Sequence, residues 1–245
     1  MKLLTWNIWF DPYENKRRWD ALISEALAYH PDIIGLQEVT LPIMERISAD
    51  PRLSKWCYSE PKLDARSSYD VLLMTRDPAQ FTRYPLRSQM GRALVYTELQ
   101  GLTVGTVHLE SLRPNGQQRA HQLAEISTAL ASRDDALFMG DMNFPDHAPE
   151  ESALHPIWRD LWRELHPERE GFTIDTTRNI MRLRAKRGRR RRARYDRAFL
   201  KSHRWDVQQI ELVGVDALPY DRLTLPSDHF GVYIELIPRR ASPQT

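Results

Sequence analysis

Six short segments of the chain carry side chains of the types that can ligate a metal or move a proton. Five of them are predicted to end a strand, and one is predicted to begin a strand. In one-letter code they are TWN at 5–7, LQE at 36–38, HLES at 108–111, GDMN at 140–143, RYD at 194–196 and SDH at 227–229. Taken singly, each has an ordinary explanation, because Asn and Asp form turns and exposed ion pairs contribute little. Together they supply carboxylates, amides and imidazoles, a set that suits Mg²⁺ and a phosphoryl group rather than a thiolate-bound metal.

These residue types could take the different catalytic roles that hydrolysis of a phosphodiester requires. That reaction needs a cation on a phosphate oxygen, an oriented water and donors for the charge that develops on the phosphoryl group. Glu38 is the candidate ligand for Mg²⁺, and Asp228 is a candidate to bind the metal through water. Asn7 ligates or positions without adding negative charge. Asp141 is the candidate base for the attacking water, and Asn143 is a candidate to hold that water or a phosphoryl oxygen.

Two histidines and one further carboxylate complete the candidate site. His229 is the candidate donor to a phosphoryl oxygen, and Asp196 would orient its ring and keep it protonated by charge pairing. His108 is a second candidate donor to the phosphate. Whether Asp141 or His229 acts as the general base stays open at this stage.

Strands and helices alternate along the chain and must position these segments. Apolar runs and period-two patterns predict strands at 2–6, 33–37, 71–75, 93–99, 102–108, 136–139, 195–200, 208–213 and 232–237. Helical spacing predicts helices at 16–30 and 117–132, and residues 99–102 predict a hairpin turn. No repeat and no Gly/Ser linker divides the chain. Many strands with a few helices favour two packed sheets flanked by helices.

The composition excludes several classes of protein. The 245 residues are 41% hydrophobic, which is enough for a sizeable core and excludes a disordered chain. The single Cys57 excludes an internal disulfide framework and a CxxC zinc site. No apolar run approaches the roughly 18–20 residues of a membrane span, and the first residues read as a strand rather than a signal peptide. We therefore expect a cytoplasmic protein that does not interact with membranes.

The formal net charge of +2 hides a very uneven distribution of charge. Residues 182–194 read RLRAKRGRRRRAR, with eight arginines, one lysine and no acid. The rest of the chain has 26 basic against 33 acidic residues. A concentrated basic segment on an acidic protein favours a polyanionic partner, although a solvated loop is the simpler alternative. The candidate nucleic-acid-binding residues are Arg189, Arg190, Arg191, Arg192 and Arg194.

The ordered set of six segments resembles the motifs of the endonuclease/exonuclease/phosphatase superfamily, which has the deoxyribonuclease-I-like fold. The resemblance runs from Thr5 to His229. It implies an α+β fold, a four-layer α/β sandwich in which two packed, mainly antiparallel sheets are flanked by helices. It also implies Mg²⁺- or Mn²⁺-dependent hydrolysis of a phosphoester by the residues named above. Residues 1–237 would form the single endonuclease/exonuclease/phosphatase catalytic domain, and residues 238–245 a polar C-terminal tail.

Within the superfamily, the chain is similar to the 5′-tyrosyl-DNA phosphodiesterase branch. The similarity is carried by TWN, by HLES and by FTIDT at 172–176, which resembles the Thr-Trp-Asp-Thr segment of that branch. Two positions depart from the pattern. Ile174 stands where the branch has a Trp at the substrate channel, and Phe144-Pro145 stand where it has an Arg near the phosphate. Both departures concern the adduct substrate and not the core chemistry.

We predict a monomeric Mg²⁺-dependent phosphodiesterase that hydrolyses phosphoester bonds in nucleic acid, DNA in preference to RNA. Removal of 5′-tyrosyl adducts from DNA ends is the sharpest version of this prediction. The alternatives within the superfamily are an apurinic-type endonuclease, a phosphomonoesterase and a lipid-headgroup phosphodiesterase. The alternative from another class is a non-catalytic nucleic-acid-binding protein with the same fold. Such a protein would be expected to have lost at least one site residue, whereas all of them are present.

Overall fold

The computed structural model describes residues 1–63, 68–185, 190–219 and 221–239, with only the backbone for 184 and 185. In chain order the strands are β1 (Lys2–Asn7), β2 (Ile33–Val39), β3 (Cys57–Tyr58), β4 (Asp70–Thr75), β5 (Thr82–Pro85), β6 (Ala93–Leu99), β7 (Leu102–His108), β8 (Ala136–Asp141), β9 (Arg159–Asp160), β10 (Ile174–Asp175), β11 (Arg192–Ala193), β12 (Asp196–Lys201), β13 (Trp205–Val213) and β14 (Gly231–Pro238). The α-helices are α1 (Asn15–Ala28), α2 (Leu41–Ala49), α3 (Gly116–Ala129), α4 (Leu161–Leu165) and α5 (Met181–Ala185).

Twelve of these strands form two six-stranded sheets. The first sheet has the order β13-β14-β1-β2-β4-β3, and the second has the order β5-β6-β7-β8-β12-β9. Each sheet contains a single parallel pair, β1 with β2 and β7 with β8, and its other pairs are antiparallel. The remaining two strands, β10 and β11, form a short antiparallel ribbon.

Packing of apolar faces produces four layers. Between the two sheets lies one cluster of buried side chains, including Leu3 and Ile33 from the first sheet and Val104 and Leu137 from the second. Helix α1 covers the outer face of the first sheet, and α3 covers the outer face of the second. The α+β sandwich predicted from the sequence, with two mainly antiparallel sheets flanked by helices, is confirmed.

The sheets approach each other closely at Gly35. A Cβ atom at this position would lie 2.8 Å from Thr106 Oγ1, which is too close for any larger residue. Gln37, two residues further along β2, donates through Nε2 to Thr5 Oγ1 at 3.0 Å and to Thr106 Oγ1 at 2.9 Å. A buried polar bridge therefore connects the two sheets directly beneath the strand ends that carry the candidate site.

Most predicted elements lie within a few residues of their observed positions. The hairpin between β6 and β7 turns through Gln100 and Gly101, both with positive φ, as a tight two-residue hairpin requires. Helix α2 was not predicted, because nine residues offer only two buried positions, Ile43 and Ile47, to an apolar pattern. In the described ranges, no helix has the length and apolar character needed to span a bilayer.

Candidate active site

The two parallel strand pairs bring the predicted site residues to one edge of the sandwich. Because parallel strands end on the same side, Asn7 and Glu38 emerge together from the first sheet, and His108 and Asp141 emerge together from the second. Strand β12 is antiparallel to β8, and its first residue, Asp196, lies opposite Asp141. The sequence segments far apart in the chain therefore converge because of strand direction.

Glu38 is directed into this edge by an irregularity in β2. The register of β2 against β4 shifts between Leu36 and Val39, and Glu38 has a φ of 64°, in the left-handed region. A β-bulge of this kind re-aims a side chain, and a non-glycine residue in the left-handed region stores about 1 kcal/mol or more of strain. Glu38 Oε1 accepts from Asn7 Nδ2 at 3.1 Å, and Oε2 accepts from the backbone N–H of Phe10 at 3.0 Å.

Asp141 depends on the glycine before it. Gly140 has a φ of 140°, and a Cβ there would lie 2.0 Å from the carbonyl oxygen of Val107. Only glycine therefore lets the end of β8 approach β7 this closely. The result is a carboxylate held on both oxygens, since Oδ1 accepts from the backbone N–H of Asn143 at 2.8 Å and Oδ2 accepts from Asn7 Nδ2 at 3.0 Å.

Asn7 links the two sheets at the centre of the site. Its amide nitrogen donates to both Glu38 and Asp141, and its amide oxygen accepts from the backbone N–H of Trp9 at 3.0 Å. Its backbone carbonyl accepts from Ser227 Oγ at 2.6 Å, which attaches the SDH segment to β1. The buried amide thus fixes two carboxylates without adding a charge of its own.

His229 and Asp196 form a buried hydrogen-bonded pair. The ring Nδ1 of His229 lies 2.8 Å from Asp196 Oδ2, and Nε2 lies 3.9 Å from Asp141 Oδ2. Burial works to lower the pKa of His229, but the charges of Asp196, Asp228 and Asp141 outweigh it and raise the pKa to about 10. In Asp141, burial is the main cause that raises the pKa of the carboxyl group. The site thus favours a protonated imidazole next to a carboxylate that is a stronger base than usual.

The His229–Asp196 pair predicts a pH effect. We expect Asp196→Asn to reduce kcat less than His229→Ala, which should cost on the order of 10²–10⁴-fold, because Asn retains an acceptor for the ring. Removing the carboxylate charge should lower the pKa of His229, so the activity that needs its protonated form should be lost at a lower pH. The alkaline limb of the pH–rate profile measures this, and an alkaline limb at the same pH as in the wild type would contradict the pairing.

His108 is held in the opposite charge state. Its Nδ1 lies 3.1 Å from Arg92 Nη1, and because a guanidinium only donates, Nδ1 is the acceptor and the ring proton is on Nε2. Burial, followed by the charges of Arg92 and His229, lowers the pKa of His108 well below its usual value. Its Nε2 lies 3.5 Å from Asp141 Oδ2, so a neutral N–H donor faces the site.

Asn143 connects two loops. It has a positive φ of 57°, and its side-chain nitrogen donates to the carbonyl of Leu109 at 3.0 Å and lies 3.4 Å from Ser111 Oγ. These contacts occupy the amide nitrogen and join the GDMN and HLES segments. Of the two roles predicted for Asn143, the geometry therefore favours contact with water through the amide oxygen over donation to a phosphoryl oxygen.

Two arginines of the site were not singled out from the sequence. Arg92 is buried and contacts His108, Ser111 and the ring of Tyr69. Arg182 Nη1 lies 2.9 Å from Asp228 Oδ2. Arg92 is a single arginine before β6, and no sequence pattern distinguishes it. Arg182 is the first residue of the basic segment 182–194, so that segment was the signal that could have identified it.

All eight predicted catalytic and metal residues are thus connected by contacts of 3.9 Å or less. The profile of the Endonuclease/Exonuclease/phosphatase family matches residues 4–229 of the chain. The chain belongs to this family. The comparison with curated proteins gave no match.

The solved structures most informative for this family member are those of TDP2, tyrosyl-DNA phosphodiesterase 2. The D. rerio TDP2 humanized by 14 mutations is 25% identical, with a TM-score of 0.81 and coverage of 97% of this chain and 98% of that chain. The D. rerio TDP2 complexed with single strand DNA product is 24% identical, with a TM-score of 0.84 and the same coverage. Truncated Caenorhabditis elegans TDP2 is 22% identical, with a TM-score of 0.81 and coverage of 95% of both chains. The resemblance to the family and to this branch is confirmed. The chain is accordingly a metal-dependent phosphodiesterase, a hydrolase.

The Endonuclease/Exonuclease/phosphatase family depends on a divalent metal, and the residues present fit such an ion. Burial, followed by the charge of Asp228, raises the pKa of Glu38, so like charges are crowded together here. Asp228 Oδ1 is buried and has no hydrogen-bond partner among the described residues. A cation would offset both costs. One group of ligand atoms, from Asp141, Asp196 and His229, lies within 4.8 Å of one another, although Asp196 is already paired with the His229 ring.

The basic segment divides into side chains with different environments. The prediction that Arg194 binds nucleic acid is wrong, because its side chain is 2% exposed and its three nitrogens all donate to Asp146 and Asp160. Arg190, Arg191 and Arg192 are exposed. Arg189 lies outside the described residues. The position of Arg194 directly before the buried Tyr195 and Asp196 explains the difference, since it already belongs to the core of the second sheet.

Proposed function

We propose that this chain is a Mg²⁺-dependent phosphodiesterase that acts on nucleic acid at DNA ends, and that 5′-tyrosyl adducts are its preferred substrates. One observation carries the proposal. Three groups converge on one edge of the sandwich: the buried pair Asp196–His229, the carboxylate of Asp141, and Glu38, which the β-bulge directs to this edge. The fold matches TDP2 structures along nearly the whole chain. The D. rerio TDP2 structure complexed with single strand DNA product supports DNA as the nucleic acid.

The chain's own residues supply a base and two donors. Despite burial, the charges of Asp196, Asp228 and Asp141 raise the pKa of His229, which favours the ring as the donor to a phosphoryl oxygen. Asp141 is the base for the attacking water, because burial raises the pKa of its carboxyl group and both oxygens are oriented, by Asn7 and Asn143. His108 adds a neutral N–H beside the same carboxylate. A bound divalent ion, held by Glu38 and Asp228, would supply charge stabilisation on the phosphate oxygens.

The direct test is a panel of four substrates, each assayed with Mg²⁺ and with EDTA. The panel comprises a 5′-tyrosyl single-stranded oligonucleotide, an abasic duplex, a plain single strand and a small chromogenic diester. We expect Mg²⁺-dependent cleavage with the highest kcat/KM on the tyrosyl substrate. Preferred incision of the abasic duplex would favour an apurinic-type endonuclease, and no cleavage of any substrate would contradict the proposal.

The exposed arginines carry a separate prediction about DNA binding. Replacing Arg190, Arg191 and Arg192 with Ser should weaken binding to long DNA while leaving hydrolysis of the small diester nearly unchanged, since phosphates are bound electrostatically outside the metal site. Each lost phosphate contact should reduce the salt slope of log K by about 0.9 on duplex DNA and about 0.7 on single strands. Filter binding at several salt concentrations measures both quantities.

The matched control makes the same change of net charge elsewhere. The exposed fractions of the side chains of Arg17, Arg133 and Arg239 are 50%, 41% and 44%. Their triple Ser variant should retain the wild-type salt slope. If both triple variants weaken binding equally, net charge alone is responsible, and the basic segment is not a DNA-binding surface.

A further inference from the structure

Arg182 contacts two residues of the candidate site, Asp228 and His229. Its Nη1 lies 2.9 Å from Asp228 Oδ2 and 3.1 Å from His229 Nε2, and its side chain is only 14% exposed. Among the residues that the structure describes, it is the only arginine or lysine whose side chain contacts both Asp228 and His229. The function derived above assigns no role to it.

The start of helix α5 is attached firmly to the SDH segment. Asn179 Nδ2 donates to the carbonyl of Ser227 at 2.7 Å, and Asn179 Oδ1 accepts from the backbone N–H of Met181 at 3.2 Å. Met181 is buried in a cluster with Leu225 and Phe230. The residue before Arg182 is therefore fixed in the core, so the guanidinium reaches the site from a rigid base rather than from a free loop.

The guanidinium of Arg182 lies against the ring atom of His229 that is not bonded to Asp196, since Nη1 is 3.1 Å from His229 Nε2 whereas His229 Nδ1 is 2.8 Å from Asp196 Oδ2. A guanidinium has five N–H groups and no acceptor. A phosphoryl oxygen that reaches His229 Nε2 therefore also meets donors of Arg182, and charge-assisted bonds of this kind from Arg to phosphate are short and strong.

A second feature favours an anion at this place. Arg191 packs over the ring of Tyr195 at 4.8 Å, and burial, followed by the charges of Arg182 and Arg113, lowers the pKa of Arg191. The positive charges of Arg182, Arg113 and Arg191 therefore act on one another at this side of the fold. Like charges gathered at the mouth of a cleft attract a polyanion.

We propose that Arg182 is a phosphate-binding catalytic residue, whose guanidinium leaves Asp228 Oδ2 and His229 Nε2 to bind a non-bridging phosphoryl oxygen of the substrate. This inference rests on the proposed function, because it assigns a further residue to the same reaction. It requires no new bond and no co-reactant. The simpler alternative is that Arg182 only neutralises Asp228 in the folded protein.

The test compares Arg182→Gln and Arg182→Lys with the wild type on the small chromogenic diester, which is too short to reach the rest of the basic segment. We expect kcat/KM of the Gln variant to fall on the order of 10²-fold, as for the loss of one donor to a developing anion. The inhibition constant of inorganic phosphate should rise at least about tenfold. The Lys variant, which keeps the positive charge and loses the planar fork, should be intermediate in both measurements.

Two controls separate binding of the phosphate from support of the fold. Arg133→Gln makes the same charge change at an exposed ion pair with Glu98 and should leave both constants unchanged. The melting temperature of every variant is measured in parallel. If Arg182→Gln does not fold, the folded Lys variant still decides the question through its phosphate inhibition constant. Adding guanidinium ion to Arg182→Ala should restore part of the rate at a low, non-denaturing concentration.

The possible results distinguish a failure of the role assigned to Arg182 from a failure of the proposed function. A lower melting temperature with an unchanged phosphate inhibition constant would show that Arg182 is structural and would overturn the inference. A higher kcat in Arg182→Gln would show that Arg182 blocks the site and would also overturn it. If the wild type hydrolyses no phosphodiester, the proposed function itself has failed. If the wild type is active and both variants match it, only the role of Arg182 is wrong.

Discussion

Glu38→Gln is expected to lower kcat on a phosphodiester on the order of 10²–10³-fold, comparable to the loss of one key stabilising group in an active site. The substitution keeps the shape of the side chain and removes the anionic ligand. Both oxygens of Glu38 accept hydrogen bonds, from Asn7 Nδ2 and from the backbone N–H of Phe10, so the amide nitrogen of Gln faces one of these donors and a small loss of stability is expected in the metal-free protein. Thermal unfolding with and without Mg²⁺ should show that the wild type is stabilised by the ion and that the variant is not.

The control for this prediction is Glu45→Gln, an identical change on the exposed side of α2. It should retain both the wild-type rate and the stabilisation by Mg²⁺. Near-normal turnover of Glu38→Gln in Mg²⁺ would remove Glu38 from the metal site.

Asp160→Asn is expected to give the largest loss of stability, about 3–5 kcal/mol, because it leaves two buried arginines without their shared charge. Asp160 accepts from Arg194 at 2.8 Å and from Arg197 at 2.7 Å, and the side chains of these arginines are 2% and 0% exposed. It also accepts the backbone N–H groups of Trp162 and Arg163 at the start of α4. Urea unfolding at neutral pH measures the difference.

The pH dependence of that difference has a defined sign. Burial acts to raise the pKa of Asp160, but the charges of Arg197 and Arg194 outweigh it and hold the pKa well below its usual value of 3.8. The stabilisation is therefore fully present above about pH 3.8 and is lost as the pH falls below it. The gap between wild type and variant should narrow only in that acid range. Asp206→Asn, which breaks an exposed pair with Arg239, should have a much smaller effect.

The meeting of the candidate site residues at one edge could be predicted from the sequence because strand ends are local features. Asn7, Glu38, His108 and Asp141 each follow an apolar run, and the two parallel pairs place such ends side by side. The bulge at Glu38 and the close approach at Gly140 were not predicted. Both are backbone adjustments that depend on the neighbouring strand rather than on local pattern.

Side chains that act across the fold were harder to predict. Arg92 reaches His108 from the residue before β6, and Arg182 reaches Asp228 from a helix 46 residues earlier. Arg194 belongs to a run of basic residues in the sequence, yet in the structure it is paired with Asp146 and Asp160 on other elements. A run of like charges predicts an exposed surface only where no acidic partner from elsewhere in the chain covers it.

The most direct test of the central claim is the rate of cleavage of a 5′-tyrosyl single-stranded oligonucleotide as Mg²⁺ is titrated into metal-free protein. We predict that the wild type gives a saturable rise from a negligible rate and releases a 5′-phosphorylated product. Asp141→Asn should remain close to the starting rate at every Mg²⁺ concentration. Cleavage by the wild type that is equally fast in EDTA, or that is retained in Asp141→Asn, would contradict the account.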